Sequence, residues 1–297
     1  MVTSDNLVPA IRLLMLSKNQ ARPPVILSIA GYDPSSGAGI TADIKTIAAH
    51  RCYAVTCITA LTVQSTQGVK RVEPVNPRTF SEMLEEVAVD FKIDGVRIGM
   101  LGSAEITRST AAFIDRQRIK NVVLDPVFMS SSGTELISRD GPQTLKQKLL
   151  PLALVITPNI DEAAELTGMP VTDVSQMREA AAKLHKMGAR NVIVTGGHLD
   201  PPTDLLSIAG GQRIEVFEGT RIGGRSTHGT GCAFAASLTC SLALGRNLIE
   251  ATRAAKQYVE NALRTAVPLG KGRGPVNHLG SLTARRERAK ASNTDQP

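Results

Sequence analysis

Tryptophan is absent from the sequence and aromatic residues make up only 3% of it, so the stacking rings that single-stranded nucleic acids usually need are scarce. The formal charge of +7 does not restore that reading. Residues 1–24 carry +2 and residues 281–297 another +2, which leaves only +3 for the body. Solvated ends account for the excess, and an anionic small molecule stays compatible with it. The four cysteines, Cys52, Cys57, Cys232 and Cys240, form no CxxC pair and no zinc spacing with histidine. That excludes the usual signatures of a disulfide framework or a structural metal and fits a reduced, cytoplasmic protein. Long hydrophobic runs are missing too. The apolar stretch 8–16 is broken by Arg12 and followed by Lys18, Arg22 and two prolines, which is too short and polar for a membrane span. No repeat recurs at fixed spacing. The expectation is one soluble catalytic domain, residues 24–280, between a loose extension (1–23) and a polar tail (281–297).

What is present is a chain of 297 residues, 42% hydrophobic, long enough to bury a large core. Short β-branched runs at 25–30, 54–61, 95–100, 122–127, 154–157 and 192–195 alternate with helical patterns. Most of these runs are apolar on both faces, as strands of a parallel sheet covered on each side by helices must be. The fold class is therefore α/β, with a mostly parallel central sheet. Asn76-Pro77 opens a helix whose Phe80, Met83, Leu84 and Val87 share a face, and Asp140 with Pro142 opens another. Residues 205–208 and 214–217 around Gly210-Gly211 predict a hairpin, so the sheet ends in antiparallel strands. Helices over 231–244 and 248–266 follow.

Three places carry chemistry. The run Thr227-His228-Gly229-Thr230-Gly231-Cys232 precedes a small-residue helix, where glycines let backbone N–H groups crowd around an anion and the helix dipole favours negative charge. A tight turn packing a helix against the sheet accounts for the same residues. A second glycine-rich turn, residues 31–39, follows the first strand but lacks both the GK[ST] ending of a P-loop and the GxGxxG spacing of a dinucleotide fold. Ligands of open α/β sheets bind beyond the carboxyl ends of the strands, where both turns lie. Asp125 closes the fourth strand and Glu162 follows the fifth, and carboxylates at adjacent strand ends suit Mg²⁺ beside phosphate oxygens. Asn159 and Glu162 also have capping-box spacing, so Glu162 has a structural reading of equal standing.

Taken together, SIAGYDPSSGAGITADIKT, ALTVQSTQGV, IGMLGS, VVLDPV, VITPNIDEAAEL, VTGGH, THGTGCAFAASL and GKGRGPVNH resemble the hydroxymethylpyrimidine/phosphomethylpyrimidine kinase family of the ribokinase superfamily, in its order, across about residues 24–279. The resemblance implies a three-layer ribokinase-like fold, a homodimer, and ATP with Mg²⁺ for phosphorylation of hydroxymethylpyrimidine or its monophosphate in thiamine synthesis. It implies an anion hole at Gly229, Thr230, Gly231 and Cys232, the last standing where sugar kinases have an aspartate base. Gly31, Asp33 and Thr41 fall in the substrate turn, Asn159, Thr195, Gly197 and Thr227 at the nucleotide, and Asp125 and Glu162 at Mg²⁺.

The chain departs from the family pattern at several of these positions. Thr41 stands for a glutamine whose amide reads the pyrimidine edge, Thr195 and Ser131 for phosphate-facing lysines, and Tyr32 and Pro34 for small serines. Those changes predict altered ring recognition and weaker charge neutralisation, with Arg225 or Arg273 as substitute cations. The competing readings are a pyridoxal-type vitamer kinase of the same fold, a ligand-binding paralogue with little turnover, and a nucleotide-binding oxidoreductase.

Overall fold

The computed structural model describes residues 22–130 and 132–280. Ser131, residues 1–21 of the expected extension and the whole expected tail lie outside the described residues. The described chain runs β1 (Val25–Tyr32), α1 (Gly39–Ala49), β2 (Tyr53–Ser65), β3 (Gly68–Pro74), α2 (Pro77–Asp90), β4 (Gly95–Ile98), α3 (Ala104–Gln117), β5 (Val122–Leu124), α4 (Gly141–Lys148), β6 (Val155–Ile156), α5 (Ile160–Thr167), α6 (Val174–Lys186), β7 (Val192–Gly196), β8 (Thr203–Ile208), β9 (Arg213–Glu218), α7 (Thr230–Ala243) and α8 (Leu248–Arg264). The strands form one sheet in the order β3-β2-β1-β4-β5-β6-β7-β8-β9. Its centre, β2 to β7, is parallel, and β3, β8 and β9 are antiparallel edges. The expected hairpin is β8-β9.

Alternation of side chains along each strand builds the three layers. Leu27, Ile29, Val96, Ile98, Leu124 and Val194 point to one face and pack with α2 to α6. Val123, Val155, Ile193 and Leu206 point to the other and meet α7 and α8, while Ile26 meets Ile47 of α1 and Cys240 of α7. The predicted face of α2 is present. Asn76 caps it by accepting from Arg78 and Thr79 N–H, Phe80 and Leu84 are fully buried, and Met83 and Val87 pack against the same core. Burying a side chain of that size contributes roughly 1.5–3 kcal/mol. α4 opens at the expected place, with Asp140 in the N-cap position and Pro142 in its first turn, although the Asp140 side chain makes no capping bond.

Three strands end earlier than their sequence suggests. β4 stops at Ile98, β5 at Leu124 and β6 at Ile156, and Pro126 and Pro158, which cannot donate to a ladder, lie just past two of these ends. The ends of β1, β4, β5, β6 and β7 therefore open onto one edge of the sheet. Because β1 lies between β2 and β4, the connections run in opposite directions from it, and a crevice forms at such a switch point. No helix among the described residues is long and apolar enough to cross a membrane.

Candidate active site

Along α7, residues 233–242 are all buried, which fixes where its first turn must lie. Gly229 caps the helix at φ +88°, and the first intrahelical bond is Ala233 N–H to Gly229 O, 2.9 Å. The N–H groups of Thr230, Gly231 and Cys232 therefore have no acceptor within the helix. A Cβ on Gly229 would lie 1.8 Å from Gly37 O, whereas a Cβ on Gly231 would meet nothing within 4 Å. Gly229 is required by the protein's own packing. Gly231 is exposed and borders open space in the first turn of the helix, where anions are favoured.

The turn after β1 is held against this loop. Asp33 accepts from Ser35 N–H at 2.8 Å, Ser35 Oγ at 2.7 Å, Gly37 N–H at 3.2 Å and Ala38 N–H at 2.9 Å. His228 Nε2 lies 2.9 Å from the same carboxylate and Gln64 Nε2 3.3 Å from His228. Burial alone would raise the pKa of Asp33, but the His228 and Ser35 bonds outweigh it and hold it below the usual range. The carboxylate expected at the substrate thus clamps its own turn and joins it to the anion loop. Gly31, beside it, is buried at the end of β1. Thr41 donates within the same segment, its Oγ1 lying 3.1 Å from Asp33 O and 3.2 Å from Ala38 O.

Across the crevice, Asp125 and Glu162 are both buried. Burial pushes Asp125 up to about 6, with Asp43 adding to the rise and Arg97 opposing it. Glu162 is raised well above the ordinary carboxylate value by burial and then by Asp125. The capping box is real: Asn159 N–H donates to Glu162 Oε2 and Glu162 N–H to Asn159 Oδ1, both at 2.9 Å. The two readings of Glu162 coexist, because the box holds a carboxylate beside Asp125. Asn159 is joined to Thr195 by a β-bridge in which Thr195 N–H donates to Pro158 O at 2.9 Å.

Gly197 is exposed in the loop after β7 and Thr227 is exposed before α7. The cation at that loop is one the sequence reading did not name. Arg221 donates from Nη1 to Gly197 O at 3.1 Å and from Nη2 to Leu199 O at 2.5 Å; in the neighbouring loops Gly274 N–H donates to Arg225 O and Arg273 N–H to Thr66 O. Cys232 is half-buried, and burial pushes its thiol up to about 11, against the pull of Arg97 and with the further push of Asp125 and Asp43. It is a neutral thiol near pH 7.

A family model described as phosphomethylpyrimidine kinase matches residues 33–277. The thiamine biosynthesis bifunctional protein ThiED of Geobacter sulfurreducens is 42% identical over 93% of this chain. The chain spans only 56% of that relative's length. The hydroxymethylpyrimidine/phosphomethylpyrimidine kinase of Haemophilus influenzae is 42% identical over 85% of this chain and 96% of its own. Among solved structures, the ADP complex of Bacillus subtilis pyridoxal kinase superposes with a TM-score of 0.80 at 35% identity, covering 88% of this chain and 99% of that one. The sheet order, the paired glycine turns and these matches agree, and the chain belongs to the phosphomethylpyrimidine kinase family, with its ribokinase-like fold.

Proposed function

We propose that this chain transfers the γ-phosphoryl group of ATP to the hydroxymethyl group of hydroxymethylpyrimidine, to its monophosphate, or to both, as steps of thiamine synthesis. The observation that carries the proposal is the first turn of α7, in which three N–H groups lack helical acceptors, Gly231 borders open space and the Cys232 thiol feels the charge of Asp125. Phosphoryl transfer asks chiefly for positioning and neutralisation of charge. A neutral Cys232 thiol suits that demand, because a loose transition state needs no strong base, and the residue's contribution is its N–H.

Asp125 and Glu162 fit Mg²⁺. They are neighbouring buried carboxylates whose pKa values are raised first by burial, that of Glu162 further by Asp125 and that of Asp125 against the pull of Arg97. No group of three or more ligating side chains occurs among the described residues, and Mg²⁺ is commonly held by one or two carboxylates with water and phosphate oxygens completing its shell. When bound there it would offset charge on the phosphate oxygens. Asn159, Thr195, Gly197 and Thr227 lie around the ends of β6, β7 and the start of α7 and would border the nucleotide.

A second reading, phosphorylation of a pyridoxal-type vitamer, draws on the likeness to pyridoxal kinase and on Thr41. With its proton donated inward, that hydroxyl offers lone pairs to a ring and no donor. An ATP-consumption screen over hydroxymethylpyrimidine, its phosphate, pyridoxal, pyridoxine and simple sugars separates the readings. Turnover on the pyrimidines supports the first, and turnover confined to the pyridines replaces it with the second. The homodimer belongs to the same proposal, and sedimentation velocity at a single-chain mass would remove it.

A further inference from the structure

Beneath the anion loop lies an ion network that the sequence motifs did not reveal. Arg97 of β4 is completely buried. Its Nη2 donates to Asp125 Oδ2 at 2.7 Å, and its Nη1 stands 3.3 Å from Asp43 Oδ2. Asp43, on α1, is also completely buried, and Ser28 of β1 donates to its Oδ2 at 2.6 Å. The guanidinium needs the neighbouring glycine, because a Cβ on Gly99 would come within 1.7 Å of Nη1.

The network is incompletely bonded. Asp43 Oδ1, Arg97 Nε and Arg97 Nη1 have no hydrogen-bond partner, and leaving buried polar atoms unpaired is costly. Buried ion pairs are also weak sources of stability, since well-packed apolar residues often serve as well or better. A network kept despite both costs is better explained by what it holds than by stability. What it holds is Asp125, whose Oδ2 accepts from Arg97 Nη2 at 2.7 Å while both side chains are buried.

We infer that Arg97, anchored from behind by Asp43, is a positioning residue for phosphoryl transfer that fixes the orientation of the Asp125 carboxylate. The inference rests on the proposal that Asp125 serves a divalent cation, as outer-shell partners orient the groups that hold a metal.

The test uses the full chain with a non-hydrolysable ATP analogue at fixed concentration, titrated with Mn²⁺ and followed by its paramagnetic resonance signal. Asp125→Asn comes first and should raise the half-saturating Mn²⁺ concentration at least about tenfold. If it does not, the metal assignment itself fails, whatever Arg97 does. Given that shift, Arg97→Met should raise the value by about ten- to hundredfold, the range of outer-shell substitutions. A folded Arg97→Met protein that binds Mn²⁺ like wild type overturns the inference. Where Arg97→Met does not fold, Asp43→Asn decides, since it keeps the side-chain shape and a group for Ser28. A rise of about threefold or more supports the anchored arrangement, and a wild-type value overturns it.

Discussion

Replacing Gly231 by valine separates a ligand site from a packing turn, because the two readings require opposite outcomes for stability and turnover. The backbone at Gly231 is not among the positive-φ positions, and its Cβ would meet no atom within 4 Å. Valine thus enters without strain or clash, and its helix propensity exceeds that of glycine by a few tenths of a kcal/mol. The melting temperature should stay level or rise slightly. Valine keeps the backbone N–H, but its side chain would fill the space the anion must enter; if that prevents the anion from reaching even one donor, turnover should fall by about 10²–10³, equivalent to about 3–4 kcal/mol in the barrier. Gly229→Ala is the counter-case. There φ is +88° and the new Cβ would lie 1.8 Å from Gly37 O, so left-handed strain alone costs about 1–2 kcal/mol and the clash adds to it. Thermal unfolding and a coupled ADP-release assay on both variants give the comparison. If Gly231→Val melts like wild type and turns over at near wild-type rate, the space beside α7 is not where the phosphoryl group passes.

Cys232→Ser should keep turnover within a few-fold and leave the pH–rate profile unmoved between about pH 6 and 9, because the thiol is neutral until about 11; a displaced limb would assign it a base role. Glu162→Gln keeps an oxygen for the Asn159 N–H and removes a charge whose folded pKa is raised. That charge lowers stability once pH exceeds the ordinary carboxylate value, so the variant should melt at or above wild type near pH 7 while needing more Mg²⁺, and an unchanged Mg²⁺ titration would leave Glu162 a cap only. His278, 3% exposed, is lowered to about 4 by burial, so the unfolded chain takes up the proton first. Its contribution is complete above about pH 6.5 and is lost as pH falls towards 4, about 3 kcal/mol over the window. Imidazole nitrogen NMR should show it neutral at pH 5.5, and urea unfolding of His278→Gln should lose that part of the acid slope; a titration near 6.5 would contradict the burial argument.

Those positions differ in how far the sequence disclosed them. The central strands were legible because parallel, doubly covered strands are written as apolar runs. β3 was not legible, and the reason is a bulge. Thr62 pairs with Val72, Val63 with Arg71 and Gln64 with Val69, so Lys70 is the extra residue and Val69 and Val72 come to one face three positions apart. A search for alternation by two misses such a strand. Asp33 was recognised as important from its turn, yet its partner His228 lies 195 positions away, and no local spacing shows that contact. Arg97 did leave a trace, a lone charge in the apolar run GVRIGM, where burial requires a partner. Which partner could not be read, because Asp43 and Asp125 come from separate elements brought together only by the sheet order.

The structure also bears on the phosphate-facing lysines that the family pattern has and this chain lacks at Thr195. Four of the cations around the strand ends are already committed. Arg97 is held between Asp43 and Asp125, Lys45 donates to Ser36 O at 2.8 Å, and Lys256 pairs with Asp204 at 2.9 Å. Asp204 is the register partner of Thr195 on β8, so a carboxylate with its own counter-ion stands beside the position where the lysine would be. Arg221 binds the carbonyls of the loop after β7. Moving any of these to a phosphate would strand a buried or bonded partner, at a cost comparable to what the new contact gains. Positive potential at the crevice then draws on the first turn of α7, whose effect is confined to that turn, on the flanking Arg225 and Arg273, and, under the proposed function, on a divalent cation at Asp125 and Glu162. A chain so arranged should depend on Mg²⁺ more steeply than one that also presents lysine ammonium groups to the phosphates.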